Sequence, residues 1–429
     1  MIHVIRILFV LSLLIAGATC LIAQSTATVT RPQFLDQVNG ITADDAVRMA
    51  IANNDQINAL RKEAEASERL VAQAGQRARM SVEASGQQRT FGSAHRYTIQ
   101  GTMPLELGGR RRTRVLTAQR EAEVKLLAVA QAENALAARV RMKFGETLAL
   151  AYKHELVEDF LRSLSESFRL IQARVVEGKT APLEENMLLV ELNRVRAKRE
   201  VAESNVLISL LELRTLIGLD PAESLTLRGD FDQSPSTFDS ASVLTARALD
   251  SRPDLLVLKA MEDLADAEIE MAASNGKLDA MATLGYQRLK MTETVQFNYV
   301  VFGIRFLLPY KNRSRDAIEA AVISKEAMEK RRAFGELVVR QDVAKALVRY
   351  DSAFRSMSIT RAGVVGQAEQ NLDVVRQMYE LGSNSLLEYL AEQRRVIELR
   401  ESLIDSELET YLAKVEIYRA TNAPELVTR

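Results

Sequence analysis

Tyr97-Thr98-Ile99-Gln100-Gly101-Thr102-Met103-Pro104 and Phe302-Gly303-Ile304-Arg305-Phe306-Leu307-Leu308-Pro309 are the stretches on which the fold turns. In the first, Tyr97, Ile99, Gly101 and Met103 share one face, and Thr98, Gln100 and Thr102 the other. Counted back from the matched prolines, Phe302, Ile304, Phe306 and Leu308 fall on the apolar face, and Gly303 and Arg305 on the opposite one. A period of two is the signature of a β-strand. Apolar-out, polar-in alternation suits the wall of a transmembrane barrel. It also suits a half-buried sheet in a soluble domain, and alternation alone does not choose between them.

Outward from these stretches the chain repeats itself. One unit begins at Ala43-Asp44-Asp45-Ala46-Val47 and passes Asn53-Asn54-Asp55; the other begins at Ser242-Val243-Leu244 and passes Arg252-Pro253-Asp254. Each runs through an Ala- and Glu-rich helix, a Gly-containing alternating stretch (around Gly86 and Gly285) and the strand quoted above. A basic segment follows, Gly109-Arg110-Arg111-Arg112 or Asn312-Arg313-Ser314-Arg315, then a very long helix and a closing helix ending near Gly218 or Asn422. Between Gly109 and Gly178 only Gly145 interrupts, and a continuous helix there is on the order of 100 Å long. Val157, Phe160, Leu164, Phe168, Ile171 and Val175 recur at three and four, the spacing of coiled-coil packing. The second unit repeats this from Asn312 to Tyr379, with Gly335, Gly363 and Gly366 as weak points. Pro182 fits the first turn of a helix, where a missing N–H costs little. Each unit offers two strands, so the chain offers four. Four strands cannot close a barrel, and an open edge in lipid leaves backbone groups unpaired; if they span, several chains share one barrel.

Composition agrees with long packed helices: aromatics are 5%, and Trp is absent. Lys+Arg 56 against Asp+Glu 57 lacks the basic excess of a nucleic-acid binder. One cysteine, Cys20, excludes an intramolecular disulfide. With three histidines (His3, His95, His154) there is little material for a zinc site, and no metal ligand set, cofactor motif or catalytic constellation is expected. Asp44-Asp45 and Glu184-Glu185 have no His or Ser partner pattern. The N-terminus reads as a secretory signal: Arg6, an apolar run from Ile7 to Ala16, and small residues at Ala16-Gly17-Ala18 or at Ala23. A short membrane anchor and lipidation at Cys20 are the other readings of this segment.

The run Tyr379-Glu380-Leu381-Gly382-Ser383-Asn384-Ser385-Leu386-Leu387-Glu388 through Gln393 resembles the "Y-x-x-G-x-x-x-x-x-D-V-L-x-A-Q" segment of the TolC family of outer-membrane efflux proteins. Thr42 to Ala50 through Asn53-Asn54-Asp55 is similar to the family's opening helix, with Asp55 where proline is usual. Pro104-Leu105-Glu106-Leu107-Gly108-Gly109-Arg110-Arg111 looks like the heavy-metal-exporter (CzcC-like) branch. The resemblance implies a mainly α chain with a transmembrane β-barrel: two tandem repeats of helix, β-hairpin, long helix and helix, three copies making a 12-stranded barrel continued by an α-helical periplasmic tunnel. It divides the chain into a signal peptide (1–23), an N-terminal extension (24–41), a first repeat (42–220, strands about 80–104), a linker in the equatorial region (221–241), a second repeat (242–422, strands about 280–309) and a tail (423–429). The protein implied is the outer-membrane duct of a tripartite efflux system. It passes metal cations or small toxic compounds from an inner-membrane pump of the RND type, through a periplasmic adaptor, to the exterior.

Site residues follow from the same matches. Glu177, Gly178, Lys179 and Leu381, Gly382, Ser383 match the tip that receives the adaptor. Tyr379, Glu184, Asn384 and Glu388 match the periplasmic gate. Asn384 stands where an arginine is usual, and Ala391 where a second carboxylate is, so a looser tip and weaker cation selectivity are expected. Gln100 and Arg305 are expected in the barrel lumen. Arg110, Arg111, Arg112 and Arg114 read either as lipid-headgroup contacts or as a solvated charge run. The rival reading of the whole chain is a periplasmic coiled-coil scaffold or adaptor without a barrel.

Overall fold

A computed structural model describes residues 34–231, 236–308 and 314–427. The signal segment with Cys20, and Pro309, Asn312 and Arg313 of the second repeat, lie outside the described residues. The elements in chain order are α1 (Ala43–Asn53), α2 (Asp55–Ala74), β1 (Ser81–Gln88), β2 (His95–Pro104), α3 (Arg110–Val176) and α4 (Pro182–Ile217). The second series is α5 (Ala241–Ser251), α6 (Pro253–Asn275), β3 (Asp279–Lys290), β4 (Gln296–Leu307), α7 (Arg315–Ile359), a π-turn (Thr360–Val365), α8 (Gly366–Glu380) and α9 (Leu386–Thr421).

Local chemistry accounts for the boundaries. Thr42 and Asp45 form a capping box at the start of α1. Asn54 ends α1 and caps α2, its Oδ1 accepting from the Gln56 and Ile57 N–H groups at 3.0 and 3.3 Å. At the matched bend, Pro253 opens α6, and the buried Arg252 guanidinium donates to Asp254 at 2.6 Å and Asp342 at 3.1 Å. Pro182 opens α4 at its first turn, and Gly218 and Asn422 close α4 and α9 in the left-handed conformation. The 67 residues of α3 form one helix, about 100 Å long. Gly145 does not break it, because its missing Cβ is filled by the Tyr411 ring, which a Cβ would meet at 2.5 Å. Gly335 is likewise carried inside α7, while Gly363 lies in the π-turn and Gly366 is the first residue of α8.

Three apolar cores run along the bundle. The first gathers Phe34, Leu136, Phe144, Leu148, Leu210, Leu213, Ile217 and Leu227. In it two irregular segments clasp one another: the Leu227 N–H donates to Phe34 at 2.9 Å, and the Arg228 N–H to Ile41 at 2.8 Å. A second core packs α5, α7 and α9 through Leu244, Val339, Val343, Ala413 and Ile417. The third, at the far end of the helices, joins Val157, Leu164 and Ile171 of α3 to Leu188, Leu192 and Val195 of α4 and Leu386 and Leu390 of α9. Phe160, Phe168 and Val175 pack on its edge, so the three-and-four spacing marks a helix–helix seam.

Three of the four arginines in the basic run make contacts that the sequence does not suggest. Arg110 donates to Asp279 at 2.8 Å and to the Asn275 carbonyl at 3.0 Å. Arg111 donates to the Gly75 carbonyl at 2.6 Å. Arg114 takes the Ala74 and Gln76 carbonyls, both at 2.9 Å, and Glu106 at 2.7 Å. These are the carbonyl-bearing C-terminal ends of α2 and α6, where a cation is favourable. The run braces the junction between sheet and helices, and Arg112 alone of the four stays exposed without such a contact.

Candidate functional site: an open sheet and a two-turn tip

The four strands form one antiparallel sheet in the order β1-β2-β3-β4. Its register fixes which residues share a face. Ile99 lies opposite Ala84 and Tyr286, and Tyr286 opposite Val300; Gly101 lies opposite Val82 and Leu284, and Leu284 opposite Phe302; Met103 lies opposite Ala282, and Ala282 opposite Ile304. Opposed residues point to the same side. Over these rungs one face is therefore apolar, and it is bare: Phe302 is 81% and Ile304 62% exposed; toward the turns the same face becomes polar at Arg288, Asn298, Lys290 and Gln296. The other face carries Glu83, Gln100, Thr102, Thr283, Gln287 and Arg305. Its polar groups bond across strands: Gln100 donates to Glu83 at 2.9 Å, Gln287 to Thr98 at 3.3 Å, and the Thr102 and Thr283 hydroxyls meet at 3.3 Å. Toward the β3–β4 turn Phe297 and Tyr299 break this polar pattern. β1 and β4 each keep one unpaired edge among the described residues. No described helix is long and apolar enough to cross a membrane.

At the opposite end each long helix stops on the same hydrogen-bonded turn. The Gly178 N–H donates to Val175 and the Lys179 N–H to Arg174; the Gly382 N–H donates to Tyr379 and the Ser383 N–H to Met378. Gly178 and Gly382 have φ of 72° and 76°, which glycine alone adopts without cost. Lys179 pairs with Glu177 at 2.7 Å, and Leu381 is 82% exposed. Beside the second turn the Tyr379 hydroxyl donates to Glu184 at 3.2 Å, and its ring stacks on Tyr389 with centroids 5.5 Å apart. Burial, and then the Glu184 carboxylate, push the Tyr379 phenol up to about 12, so it remains a donor at any physiological pH. Glu388 is engaged locally: it accepts the Ser385 N–H at 3.0 Å in a capping box that starts α9. Asn384 sits in the turn with its N–H on Met378 at 3.3 Å.

The Outer membrane efflux protein family model matches residues 46–219 and 244–423. The chain belongs to that family. The two matched blocks correspond to the two repeats. Among curated relatives it is 24% identical over 402 residues to the cobalt-zinc-cadmium resistance protein CzcC of Cupriavidus metallidurans, covering 93% of this chain and 94% of the relative. It is 24% identical over 296 residues to the pyoverdine export outer membrane protein OpmQ of Pseudomonas aeruginosa, covering 68% and 62%. The fold is shared with the solved structure of CusC (TM-score 0.74, 15% identity, 91% and 93% covered). It is shared too with the Neisseria gonorrhoeae MtrE outer membrane channel in its open state (TM-score 0.72, 16% identity, 88% of each chain). The protein is an outer-membrane efflux channel that extends into the periplasm, which sets aside the barrel-less scaffold. The family's members are channels, not enzymes, and work as trimers with an adaptor and an inner-membrane pump.

Sequence reasoning missed two features of this region. One is the arginine bracing described above. The other is a set of cross-repeat contacts on α4 beyond Glu184, taken up below; its trace in the sequence is the seven-residue spacing of Glu184, Glu191 and Lys198.

Proposed function

We propose that three copies close one 12-stranded barrel, with the face of Phe302, Ile304 and Phe306 against outer-membrane lipid and that of Gln100 and Arg305 lining the lumen. The observation that carries this is the open sheet: two unpaired edges and one exposed face whose helix-side rungs are apolar across the strands. In lipid those edges need partners, and only further copies of the same sheet continue both its faces. At the other end the Tyr379–Glu184 bond holds the gate, Asn384 and Glu388 stand beside it, and the two turns at Glu177-Gly178-Lys179 and Leu381-Gly382-Ser383 receive the adaptor of an RND-type pump. The cargo we assign is a metal cation, on the support of the CzcC likeness along almost the whole chain.

Assembly and gating are tested together on full-length protein in mild detergent. The mass should be that of a trimer; a fully helical monodisperse monomer overturns the shared barrel. In planar bilayers Tyr379→Phe, which keeps the ring and removes the hydroxyl, should raise single-channel conductance, because a hydrogen bond to a charged group is worth ~1.5–3 kcal/mol. Unchanged conductance in a folded trimer removes the pair from the gate. Cargo is read from a strain lacking the protein: a metal cation is the wrong class if sensitivity to small toxic compounds appears and metal sensitivity does not.

A further inference from the structure

Three contacts tie the first repeat to the second along α4, each one heptad beyond the last. Glu184 accepts from Tyr379 at 3.2 Å. Glu191 pairs with Arg394 at 2.9 Å. Lys198 pairs with Glu401 at 2.7 Å. Arg394 and Glu401 are themselves seven apart on α9, so α4 and α9 run in the same direction from the tip, joined by these side chains and the core that both share with α3. The charges alternate: Glu then Lys on α4, Arg then Glu on α9. A slip of one heptad would set Arg394 against Lys198 or Glu401 against Glu191, and like charges so placed repel. The ladder fixes register.

Its middle rung differs from the others. The Glu191 side chain is only 2% exposed, inside the tip core of Leu188, Leu192 and Leu390. A carboxylate in such surroundings needs compensation, and removing a sole partner would leave an uncompensated buried charge. Glu191 has two partners of different kinds. Arg194, one turn along the same helix, grips it with Nη2 at 2.6 Å and Nε at 3.1 Å. Arg394 reaches it from α9, in the other repeat. The Arg194 contact travels with α4 whatever α9 does; the Arg394 contact exists only while α9 lies against α4.

We propose that Glu191–Arg394 is a second gating latch of the tip. Arg194 is the standby counter-ion that lets it open without stranding the carboxylate. The inference rests on the reading of this end as the gate. With Arg194 in place, separating α9 from α4 breaks one charge-assisted contact and leaves Glu191 paired; without it, the same motion exposes a bare buried charge.

The test uses full-length trimer carrying spin labels on Lys179 and Ser383, together with bilayer conductance. Arg394→Met should lengthen the distance between the two turns and raise conductance several-fold, with the trimer intact. Arg194→Met should leave both at the parent value, since the inter-repeat contact survives. In Arg194→Met/Arg394→Met the melting temperature should fall by more than the two single losses combined, and Glu191→Gln added to that pair should restore it. A label distance in Arg394→Met equal to the parent's overturns the latch, and so does an Arg194→Met variant that opens as widely as Arg394→Met. The label distance needs no conduction. A protein that never conducts, Tyr379→Phe included, therefore counts against the channel gate and leaves the latch to be judged on distance alone.

Discussion

In the first repeat the long helix α3 runs 67 residues without a break; in the second the same path is cut at Thr360–Val365 by a π-turn between α7 and α8. The strands differ in the opposite sense. On the apolar face the first hairpin presents Val82, Ala84, Gly86, Ile99, Gly101 and Met103, and the second presents Leu284, Tyr286, Val300, Phe302, Ile304 and Phe306. The first repeat has the unbroken helix and the leaner hairpin, the second the interrupted helix and the bulkier hairpin. Packing explains the helices. Gly145 admits the Tyr411 ring against the backbone of α3, whereas Gly363, in the π-turn, has open space where a side chain would be. A π-turn leaves the regular ladder locally and often marks a functional site. Here the Arg361–Glu407 pair, at 2.5 Å, ties it to α9. If the π-turn is where the second helix bends, the duplicated unit divides into a fixed rail and a bending helix, and the bending helix leads to Tyr379.

The hairpin half of the comparison breaks first in the membrane. Arginine at Ile304 should cost ~2–4 kcal/mol if that rung lies near the bilayer midplane, and insertion should fail or slow. Met103 occupies the same rung in the first repeat, through Ala282. Met103→Arg should therefore impair insertion to a similar degree, within about 1 kcal/mol. Barrel assembly into liposomes, followed by heat-modified mobility on a gel, reads both. A harmless Met103→Arg beside a damaging Ile304→Arg would mean that only the second hairpin meets lipid.

The helix half is tested at the glycines. In Gly145→Ala the new methyl would lie 2.5 Å from Cδ1 and Cε1 of Tyr411. A ring edge packed in the core cannot move aside cheaply, so overpacking should cost ~1–3 kcal/mol, seen as a lower melting temperature of the trimer. Gly335→Ala in the second repeat meets the methyl ends of Leu258 at 2.7 Å and Leu255 at 3.1 Å. Those ends can turn away, and the loss should stay under about 1 kcal/mol. Equal losses would mean that α7 is held as tightly as α3.

Much of this architecture is legible in the sequence because it is periodic. The face shared by Ile99, Met103, Phe302 and Ile304 follows from a period of two; the seam of Val157, Leu164 and Ile171 from three and four; the tip turns from glycines that close long helices. The resemblance assigns Tyr379 and Glu184 to one gate, and the two side chains lie within hydrogen-bond reach of each other. Where reading failed, the partner was distant in sequence. Arg111 and Arg114 look like a solvated run until α2 returns Ala74 and Gly75 to them. Glu191 looks like one more surface carboxylate until α9 brings Arg394, some two hundred residues later in the chain. Gly145 and Gly363 are alike as letters, and only the neighbouring helix tells a packed glycine from an open one.

Gly363→Ala should have the smallest effect, and its sign matters most for the comparison. No heavy atom lies within 4 Å of the position a Cβ would take, so there is no clash to relieve. Alanine is favoured over glycine in a helix interior by ~0.8–1 kcal/mol, chiefly through chain entropy, and part of that should survive in a π-turn with helical backbone angles. The melting temperature should stay level or rise slightly, by no more than about 1 kcal/mol in equivalent stability. Tip opening, read by the label distance in the Arg394→Met background, should shrink a little if the π-turn is where the helix bends, because alanine narrows the backbone's range there. A loss as large as that of Gly145→Ala would show that another copy packs against Gly363 in the trimer. The second helix would then be as fixed as the first, and the division between rail and bending helix would fall.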